Sequence, residues 1–591
     1  MAIKKNKVNC VIVGFGWTGA IFAQELTDAG LDVVALERGN MRDTPTDAEY
    51  PKVIDELAYQ QRGKLFQPLA GETVTIRHGV DDLAVPYRQY GSFLLGNGVG
   101  GAGFHWNGMH YRILPEELEL RTRYEQRYGK KFIPDGMTVQ DFGVSYEELE
   151  PHFDFAEKVF GTSGKAGNLN GQIQAGGNPL EARRTSDYPT PPLTNTYGAQ
   201  LFEKAARDAG FHPYHAPAAN ASTPYTNPYG VRLGPCNFCG FCEQFGCYMY
   251  SKASPQTTIL PVLLKKPNFE LRTNAYVTRV LLDSDKKRAT GVTYIDAQGR
   301  EVEQPADIVI VAAFQMHNVR LLLMSGIGKP YDPKTGEGVV GKNYAYQMNG
   351  AVNVMLPKGE MMNPFIGTGA GGVSLDDLNG DQFDHGPLGF LGGANIRHVT
   401  YSGRPINFTP TVPGTPAWGS KWKAGVTDAH QRFLTIGISG SVMPYRDAYL
   451  DLDPTYRDAH GLPLLRMTFD WHDNEYAMLG YMGTRMEEVA RAMKHESYSK
   501  SIRKKGDHYD TRAYQSTHTT GGAIMGSSPQ TSVVNKYLQS WDVHNVFVTG
   551  ASAFPQNMGY NPTGLVAALA FHAAKAIREQ YLKHPAPLVQ A

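Results

Sequence analysis

The feature that most constrains the fold is a short apolar run near the start of the chain that leads directly into a glycine-rich turn. Residues Val8 to Val13 are β-branched and apolar, the pattern of a buried parallel strand, and Gly14, Gly16 and Gly19 follow in a G-x-G-x-x-G arrangement. A helix-like segment and a second strand-like segment, which ends at Glu37, complete a βαβ unit. The pattern predicts a dinucleotide at the first turn. The first glycine permits the tight turn, the second lets a pyrophosphate approach the backbone, and the third lets helix and strand pack closely.

An acidic residue supports the same interpretation. Glu37 lies 23 residues after Gly14, near the spacing of about 20 residues expected for the carboxylate that holds ribose hydroxyls. A glycine turn without a ligand would leave Glu37 without a role, and the neighbouring Arg38 is included in the predicted cofactor site. The spacing alone does not separate FAD from NAD.

Charge and length exclude some classes of protein. The chain has 591 residues with 57 Lys plus Arg and 57 Asp plus Glu, so its formal net charge is zero. That balance argues against a nucleic-acid binder or a polybasic membrane-surface protein. The chain is longer than the roughly 250–300 residues that a single hydrophobic core usually supports, so two interlocked domains are expected. No apolar run reaches the roughly 18 residues of a membrane span.

A second glycine-rich stretch, residues 91–112, reads GSFLLGNGVGGAGFHWNGMHYR, a density that neither an ordinary helix nor a strand tolerates. Its backbone is expected to lie closely around something flat or phosphorylated. At this point the chain resembles the glucose-methanol-choline (GMC) oxidoreductases, whose flavin-binding loop carries G-x-G-x-G-G before an Asn and an Arg. Segments 271–280, 311–328 and 518–569 resemble further stretches of that family, and together these motifs select FAD as the dinucleotide.

The resemblance implies an α/β fold, α+β overall, with a discontinuous Rossmann-like FAD-binding domain and a substrate-binding domain built on an antiparallel sheet with helices. Residues 160–235, rich in Gly, Asn, Pro and Thr, are predicted to be a long irregular segment that a bound cofactor orders. The expected domain segments are 1–130, 254–340 and 518–591 for FAD binding, and 131–253 and 341–517 for substrate binding, with a cysteine loop at 234–250.

The resemblance also implies which residues contact FAD. Some family members bond a His covalently to the flavin 8α-methyl within a G-G-x-x-x-H-W arrangement, and residues 100–106 match that arrangement. Whether His105 forms this bond or only packs against the isoalloxazine stays open. The predicted cofactor-binding residues are Gly14, Gly16, Gly19, Glu37, Arg38, Gly98, Gly100, Gly101, His105, Trp106, Asn107, Val277, Ala551, Pro562 and Thr563.

The C-terminal part supplies the expected catalytic pair. The family places a His facing the flavin N5 and a His or Asn beside it, and His518 and Asn561 match those positions. Oxidising an alcohol carbon requires a base that is neutral near pH 7 to remove the hydroxyl proton while hydride passes to N5. The alternative is that His518 is an ordinary loop histidine. A helix is predicted from Asn561 to Ile577 with its positive end toward the flavin. Gln347 stands where relatives carry a His, so no catalytic role is assigned to it.

Four of the five cysteines lie in one short run. Cys236, Cys239, Cys242 and Cys247 have the spacing C-x2-C-x2-C-x4-C. Zinc sites usually pair two C-x-x-C units across a longer loop, whereas so tight a run resembles iron–sulfur ligation. An iron–sulfur cluster is therefore preferred, with disulfides and zinc as alternatives. Cys10, inside the first strand, is expected to be an inert core residue.

The cysteine run narrows the resemblance to the membrane-bound sugar and sugar-acid dehydrogenases of bacteria. It implies a [3Fe-4S] cluster in preference to [4Fe-4S], although the extra cysteine leaves open which three ligate, or whether all four do. The implied reaction is oxidation of a hydroxyl of a sugar acid or sugar, gluconate to 2-ketogluconate being preferred. Alternatives are dehydrogenation of sorbitol, fructose, glucose or 2-ketogluconate, and a pyranose-type sugar oxidase.

Partners and location follow from the same resemblance. Electrons are expected to pass through the cluster to a multihaem cytochrome c subunit and then to quinone. The chain shows no export signal of its own, so the related complexes imply transport with a small twin-arginine-exported subunit. The expected location is the periplasmic face of the inner membrane, with membrane contact only through partners, and a cytoplasmic location is the alternative.

Overall fold

Two large β-sheets with flanking helices organise the chain. The structure is a computed structural model that describes residues 3–48, 65–88, 92–399, 409–510 and 516–590. Gly91, the first residue of the second glycine-rich stretch, lies outside these ranges. No helix within the described ranges combines the length and the apolar character needed to cross a membrane.

The larger sheet has eight strands and contains the N-terminal βαβ unit. Val8–Val13 pairs in parallel with Val33–Leu36 on one side and with Glu301–Val311 on the other, and the helix Trp17–Asp28 connects the first two. This parallel arrangement confirms the predicted α/β fold. The strands of this sheet are Ile3–Lys4, Val8–Val13, Val33–Leu36, Phe269–Arg272, Tyr276–Leu282, Ala289–Ile295, Glu301–Val311 and Val546–Val548.

The second sheet has six strands and is antiparallel. Its central pair, Met348–Met355 and Phe433–Gly440, runs in continuous register from Met348 opposite Gly440 to Met355 opposite Phe433. The helix Asp473–Ala492 packs on it through buried residues such as Met478 and Leu479. The strands are Tyr214–His215, Met348–Met355, Gly372–Leu375, Ala394–Val399, Phe433–Gly440 and Ser497–Ser501.

A four-stranded sheet connects stretches that the sequence assigned to different domains. Val74–Arg77, expected in the FAD-binding part, pairs in parallel with Pro463–Thr468, expected in the substrate-binding part. Val85–Pro86 and Tyr449–Arg457 complete this sheet. The two-stranded pairs are Asn168–Leu169 with Gln172–Ile173, Tyr225–Thr226 with Arg232–Leu233, and Ala345–Tyr346 with Thr519–Thr520.

The segment 160–235 has more structure than its composition predicted. It contains the helix Tyr197–Asp208, whose buried face includes Phe202. Arg184 in the same segment is fully buried, and its Nη2 lies 2.5 Å from Oε2 of Glu157. Contacts with the protein therefore order this segment, because a buried guanidinium requires a fixed anionic partner.

The remaining helices surround the two large sheets. The C-terminal one, Thr563–Ala576, is nearly all buried and continues as the π-helix Ile577–Tyr581. Other helices of more than one turn are Leu120–Tyr128, Tyr146–Phe160, Gln315–Ser325 and Gly419–Ala429, and short ones are Thr44–Asp47, Ala102–His105, Pro115–Leu118, Pro255–Thr258 and Leu260–Leu263.

Candidate active site

The first glycine turn has the tight geometry that its sequence predicts. Gly14 has φ +92°, and a Cβ on it would lie 2.7 Å from the Ala312 carbonyl oxygen. A Cβ on Gly19 would overlap the carbonyl oxygen of Gly14, so glycine is required for the helix to pack on the strand. Glu37 closes the turn: its Oε2 accepts the N–H of Phe15 at 3.0 Å and its Oε1 accepts that of Gly39 at 2.8 Å.

The second glycine-rich loop packs directly on the first. The N–H of Gly100 donates to the Phe15 carbonyl oxygen at 2.7 Å, and a Cβ on Gly101 would lie 3.4 Å from Cα of Gly16. A Cβ on Gly98 would lie 2.6 Å from the carbonyl oxygen of Asn40, so this position packs against protein and not against open space. Glycine at these positions therefore allows the two loops to touch as well as allowing a ligand to approach.

A long cavity, termed the first cavity, runs along both glycine loops. Nine of the fifteen predicted cofactor-binding residues line it, whereas Gly19, Gly98 and Gly100 pack against protein and line neither of the two cavities described here. The nine are Gly14, Gly16, Glu37, Arg38, Gly101, Val277, Ala551, Pro562 and Thr563.

The walls of the first cavity fit a dinucleotide. A Cβ on Gly16 would meet protein only at 3.9 Å, so this backbone is open toward the cavity. Nε1 of Trp17, at the start of the helix Trp17–Asp28, is buried with no hydrogen-bond partner in the described structure. An N-terminal helix end with free donors is a favourable place for phosphate.

Arg38 lines the first cavity, but its guanidinium is held by protein side chains. Nη1 donates to Glu72 Oε2 at 2.6 Å, and Nη2 donates to Gln67 Oε1 at 2.9 Å. Glu72 also binds Arg320 at 2.6 Å and His317 at 3.1 Å. The interactions with His317, Arg38 and Arg320 hold the pKa of the Glu72 carboxyl well below its usual range despite burial. Arg38 therefore belongs to a buried ion cluster that forms part of the cavity wall.

A second cavity adjoins the first and contains both predicted catalytic residues. Thr517 and Thr563 line both cavities, and His518 and Asn561 line the second. Nδ2 of Asn561 lies 3.1 Å from Nε2 of His518. Thr563 also begins the helix Thr563–Ala576, so the positive end of that helix lies where the cavities meet.

Gln347, to which the sequence assigned no role, holds the other ring nitrogen of His518. It is fully buried, and its Nε2 donates to the carbonyl oxygens of Met558 at 3.0 Å and Tyr560 at 2.8 Å. Its Oε1 therefore faces His518 and lies 2.6 Å from Nδ1. Because an amide oxygen can only accept, Nδ1 of His518 carries the proton and Nε2 is the basic nitrogen.

Arg397 fixes the orientation of Asn561 in the same way. Its Nη1 donates to Asn561 Oδ1 at 2.8 Å, so the amide nitrogen of Asn561 must point toward Nε2 of His518. The sequence analysis named neither Arg397 nor this role. The sequence showed only that Gln347 stands where relatives carry a His, with no link to His518.

His518 is neutral over the physiological pH range. Burial, and to a smaller extent the positive charge of Arg397, lowers the pKa of its imidazole to about 3. Nε2 is thus available to accept a proton from a hydroxyl group.

His105, Trp106 and Asn107 line the second cavity, not the first. His105 is buried, and its ring lies edge-on to Phe66 with centroids 4.9 Å apart. Nε1 of Trp106 donates to the Ala253 carbonyl oxygen at 2.7 Å. The His-Trp pair therefore lines the second cavity and is held by protein contacts on its other side.

The cysteine loop, residues 234–250, forms part of the second cavity through Glu243 and Gln244. The N–H of Gln244 donates to the His105 carbonyl oxygen at 2.7 Å. Lys252 is fully buried, and its Nζ donates to the carbonyl oxygens of Cys242 at 2.8 Å and Phe245 at 2.6 Å. A buried cation therefore binds the loop backbone.

All five cysteines are free thiols in the structure. Burial first, and the neighbouring Cys242 second, raise the pKa of Cys236 and of Cys239 to about 12. Among the described residues, no three of the four loop sulfurs lie within 4.8 Å of one another. Cys10 is fully buried in its strand, as expected of a core residue.

The two adjoining cavities, one fitted to a dinucleotide and one holding a neutral histidine, define an oxidoreductase. A family model described as GMC oxidoreductase matches residues 143–349, and a second with the same description matches residues 444–570. The chain belongs to the GMC oxidoreductase family, and membership of this flavoprotein family implies FAD as the cofactor.

Three relatives align over almost the whole chain. Gluconate 2-dehydrogenase flavoprotein of Pantoea cypripedii is 58% identical over 594 residues, which cover 100% of this chain and 97% of that protein. 2-Methyl-1,2-propanediol dehydrogenase of Mycolicibacterium austroafricanum is 28% identical, and the alignment covers 98% of this chain and 97% of that protein. Fructose dehydrogenase large subunit of Gluconobacter japonicus is 24% identical, and the alignment covers 98% of this chain and 99% of that protein.

Proposed function

We propose that this chain is an FAD-dependent dehydrogenase that oxidises D-gluconate to 2-keto-D-gluconate. The observation that carries the proposal is the His518–Asn561 pair at the junction of the two cavities, with Nε2 of His518 fixed as the basic nitrogen. The identity of 58% to a protein named gluconate 2-dehydrogenase flavoprotein supports the choice of substrate.

The residues of the second cavity prepare a hydroxyl group for oxidation. Bound FAD supplies the two-electron acceptor for hydride from the alcohol carbon. Nε2 of His518 accepts the hydroxyl proton, and an N–H of Asn561 donates to the same oxygen and keeps it in line. Gln347 and Arg397 hold these two side chains in the required orientations.

We further propose that the cysteine loop holds an iron–sulfur cluster, [3Fe-4S] in preference to [4Fe-4S]. Four thiols on one loop in a C-x2-C-x2-C-x4-C run suit a cluster held by cysteine ligands. A Cβ on Gly369 would lie 2.7 Å from both Cβ of Cys242 and the carbonyl oxygen of Asn107, so the cysteine loop lies close to the residue that follows the His-Trp pair. Such a position suits an exit for electrons.

The remaining proposals concern partners, location and flavin attachment. A cluster beside the cavity favours a protein electron acceptor, here a multihaem cytochrome c subunit, with a small exported subunit that carries the chain to the periplasm. The proposed domain segments are those given by the sequence. Covalent attachment of FAD through His105 is tested by acid precipitation, since covalent flavin stays with the protein pellet.

An anaerobic titration tests the function. Purified protein is mixed with gluconate, 2-ketogluconate, sorbitol, fructose or glucose while flavin absorbance is recorded. We expect gluconate to bleach the flavin, His518→Ala to retain flavin but lose bleaching, and the exposed His212→Ala control to behave as wild type. Bleaching by none of the five, or near-normal bleaching in His518→Ala, would contradict the proposal.

The cluster and the electron acceptor need their own measurements. Cys242→Ser should lose iron and cytochrome reduction yet keep flavin bleaching by gluconate, whereas Cys10→Ala should keep iron. If the wild-type protein contained no iron, the cluster proposal would be wrong, whereas the proposed dehydrogenase activity would not be affected. Rapid peroxide formation with substrate and air would favour an oxidase.

A further inference from the structure

The second cavity contains a cation that no carboxylate of the described residues neutralises. The charged residues that line it, within the described part of the chain, are Arg397 and Glu243. Arg397 lies in the strand Ala394–Val399, opposite Gly437 of the next strand, and is half-buried. No described carboxylate lies within 4.0 Å of its guanidinium, which donates to the neutral amide oxygen of Asn561.

Other arginines in similar surroundings are paired with acids. Arg112 binds Glu157 through two hydrogen bonds of 2.8 Å, Arg184 binds Glu157, and Arg320 binds Glu72 at 2.6 Å. A partly desolvated guanidinium without an anion is costly, and its five N–H donors match a carboxylate in a bidentate arrangement. Arg397 therefore has the properties of a receptor for an anionic ligand.

The position of this cation relates it to the reacting hydroxyl. One amide side chain separates it from the base: Arg397 Nη1 is 2.8 Å from Asn561 Oδ1, and Asn561 Nδ2 is 3.1 Å from His518 Nε2. In a 2-hydroxy acid the carboxylate carbon is bonded directly to the carbon that carries the hydroxyl. A carboxylate at Arg397 would thus leave the 2-hydroxyl beside His518 and Asn561.

We propose that Arg397 binds the substrate carboxylate and thereby selects 2-hydroxy carboxylates such as aldonates, with oxidation at the carbon next to the carboxylate. The proposal rests on the proposed function, since it concerns the same cavity and reaction. Neutral sugars and polyols lack the anion and are bound more weakly.

Two electrostatic features support this assignment. The positive charge of Arg397 contributes to the low pKa of His518, so an anion at Arg397 removes part of the repulsion that opposes proton transfer to Nε2. Glu243 belongs to the cysteine loop, whereas Arg397 belongs to the sheet. A substrate anion is attracted to Arg397 and repelled by Glu243. This difference favours the orientation in which the substrate carboxylate faces Arg397.

The test compares an anionic and a neutral substrate in the FAD-loaded protein. Anaerobic stopped-flow measures kcat/KM for flavin reduction by D-gluconate and by D-sorbitol in wild type, Arg397→Gln and Arg397→Lys. The matched control is Arg466→Gln, a half-buried strand arginine that lines neither cavity and pairs with Asp451. Flavin content and circular dichroism verify folding.

In Arg397→Gln we expect the values for both substrates to fall, because Arg397 also orients Asn561. The value for gluconate should fall at least about 30-fold more than the value for sorbitol, because only the anionic substrate loses a charge-assisted bidentate pair. Arg397→Lys should recover part of the loss and Arg466→Gln should show none. Equal losses for gluconate and sorbitol would overturn the proposal, because Arg397 would then act only by orienting Asn561.

A binding measurement separates this proposal from the proposed function. 2-Deoxy-D-gluconate keeps the carboxylate but lacks the 2-hydroxyl, and its Kd is measured from the change in flavin absorbance. We expect binding in wild type that weakens about 30-fold or more in Arg397→Gln. If gluconate failed to bleach wild-type flavin, the proposed function would be wrong, yet binding that depends on Arg397 would still support the carboxylate site. Binding that is absent in wild type, or unchanged in Arg397→Gln, would refute it.

Discussion

At the scale of single residues, a chain of four polar side chains determines which atom is the base. Arg397 donates to Asn561, Asn561 donates to Nε2 of His518, Nδ1 of His518 donates to Gln347, and Gln347 donates to backbone carbonyls. Each donor and acceptor has a single compatible orientation, because guanidinium only donates and carbonyl oxygen only accepts. The basic nitrogen therefore faces the second cavity.

Gln347→Leu should remove the acceptor for Nδ1–H and free the ring to change tautomer. We expect flavin reduction by gluconate to slow by about 100-fold with FAD content unchanged, since orienting partners of a catalytic histidine have effects of this order or larger. Stopped-flow reduction and flavin absorbance measure both quantities. A rate within about 2-fold of wild type would show that Gln347 does not orient His518.

The lowered pKa of His518 predicts an unusual pH profile. A histidine with the ordinary value of 6.5 would be only about 3% neutral at pH 5, whereas His518, with a pKa of about 3, remains almost entirely neutral there. Activity depends on the neutral form, so the acid limb should lie well below pH 5. Flavin reduction rates from pH 8 to 5 are expected to change by less than about 2-fold. A decrease centred near pH 6.5 would contradict the assignment.

At the scale of secondary-structure elements, glycines set the distance between the first helix and its strand. Gly19 lies in the helix Trp17–Asp28, and a Cβ there would overlap the Gly14 carbonyl oxygen. The same loops also pack on each other through Gly100 and Phe15. The first cavity therefore keeps its shape only while both loops lack side chains at these contacts.

Gly19→Ala tests this requirement against a second helical glycine. We expect the protein to lose most bound FAD and about 1–3 kcal/mol of stability, because the helix must move away from the strand. Gly480, in the helix Asp473–Ala492, has open space where a Cβ would lie, with no contact within 4 Å, so Gly480→Ala should keep FAD and gain up to about 1 kcal/mol from helix propensity. FAD per protein and thermal unfolding are measured for both. Full FAD occupancy in Gly19→Ala would refute the packing argument.

At the scale of the whole molecule, a buried ion cluster connects parts of the chain that are distant in sequence. Glu157, in the helix Tyr146–Phe160, binds Arg112 at the end of the second glycine-rich loop and Arg184 of the segment 160–235. These positive partners lower the pKa of Glu157 to about 2 despite its burial. The cluster thus anchors the segment that leads to the cysteine loop.

Glu157→Gln should destabilise the protein by about 3–5 kcal/mol, because it leaves two buried guanidinium groups without their anion. The stabilisation should be fully present above pH 4.5 and decrease as the pH falls toward 2, since Glu157 must then accept a proton. Urea unfolding at pH 7 measures the effect. The exposed pair Glu203–Arg207 provides a control, and Glu203→Gln should change stability by less than about 0.5 kcal/mol. Similar values for the two variants would argue against the cluster as an anchor.

The sequence by itself was sufficient for the βαβ unit and the family, and it proposed FAD at the glycine turn and a catalytic His518–Asn561 pair. Local sequence is enough here because each of these features rests on residues close together in the chain or on a motif of fixed spacing. Gly14 is an example, since its positive φ follows from the turn itself.

Only the tertiary structure decided the roles of Gln347, Arg397 and Glu157. Gln347 lies 171 residues from His518, and Arg397 lies 164 residues from Asn561. No periodicity or spacing carries such a pairing, because it depends on how the antiparallel sheet and the C-terminal segment pack together. The charge at Arg397 becomes informative only when the surroundings show that no described acid neutralises it, and that is a property of the folded chain.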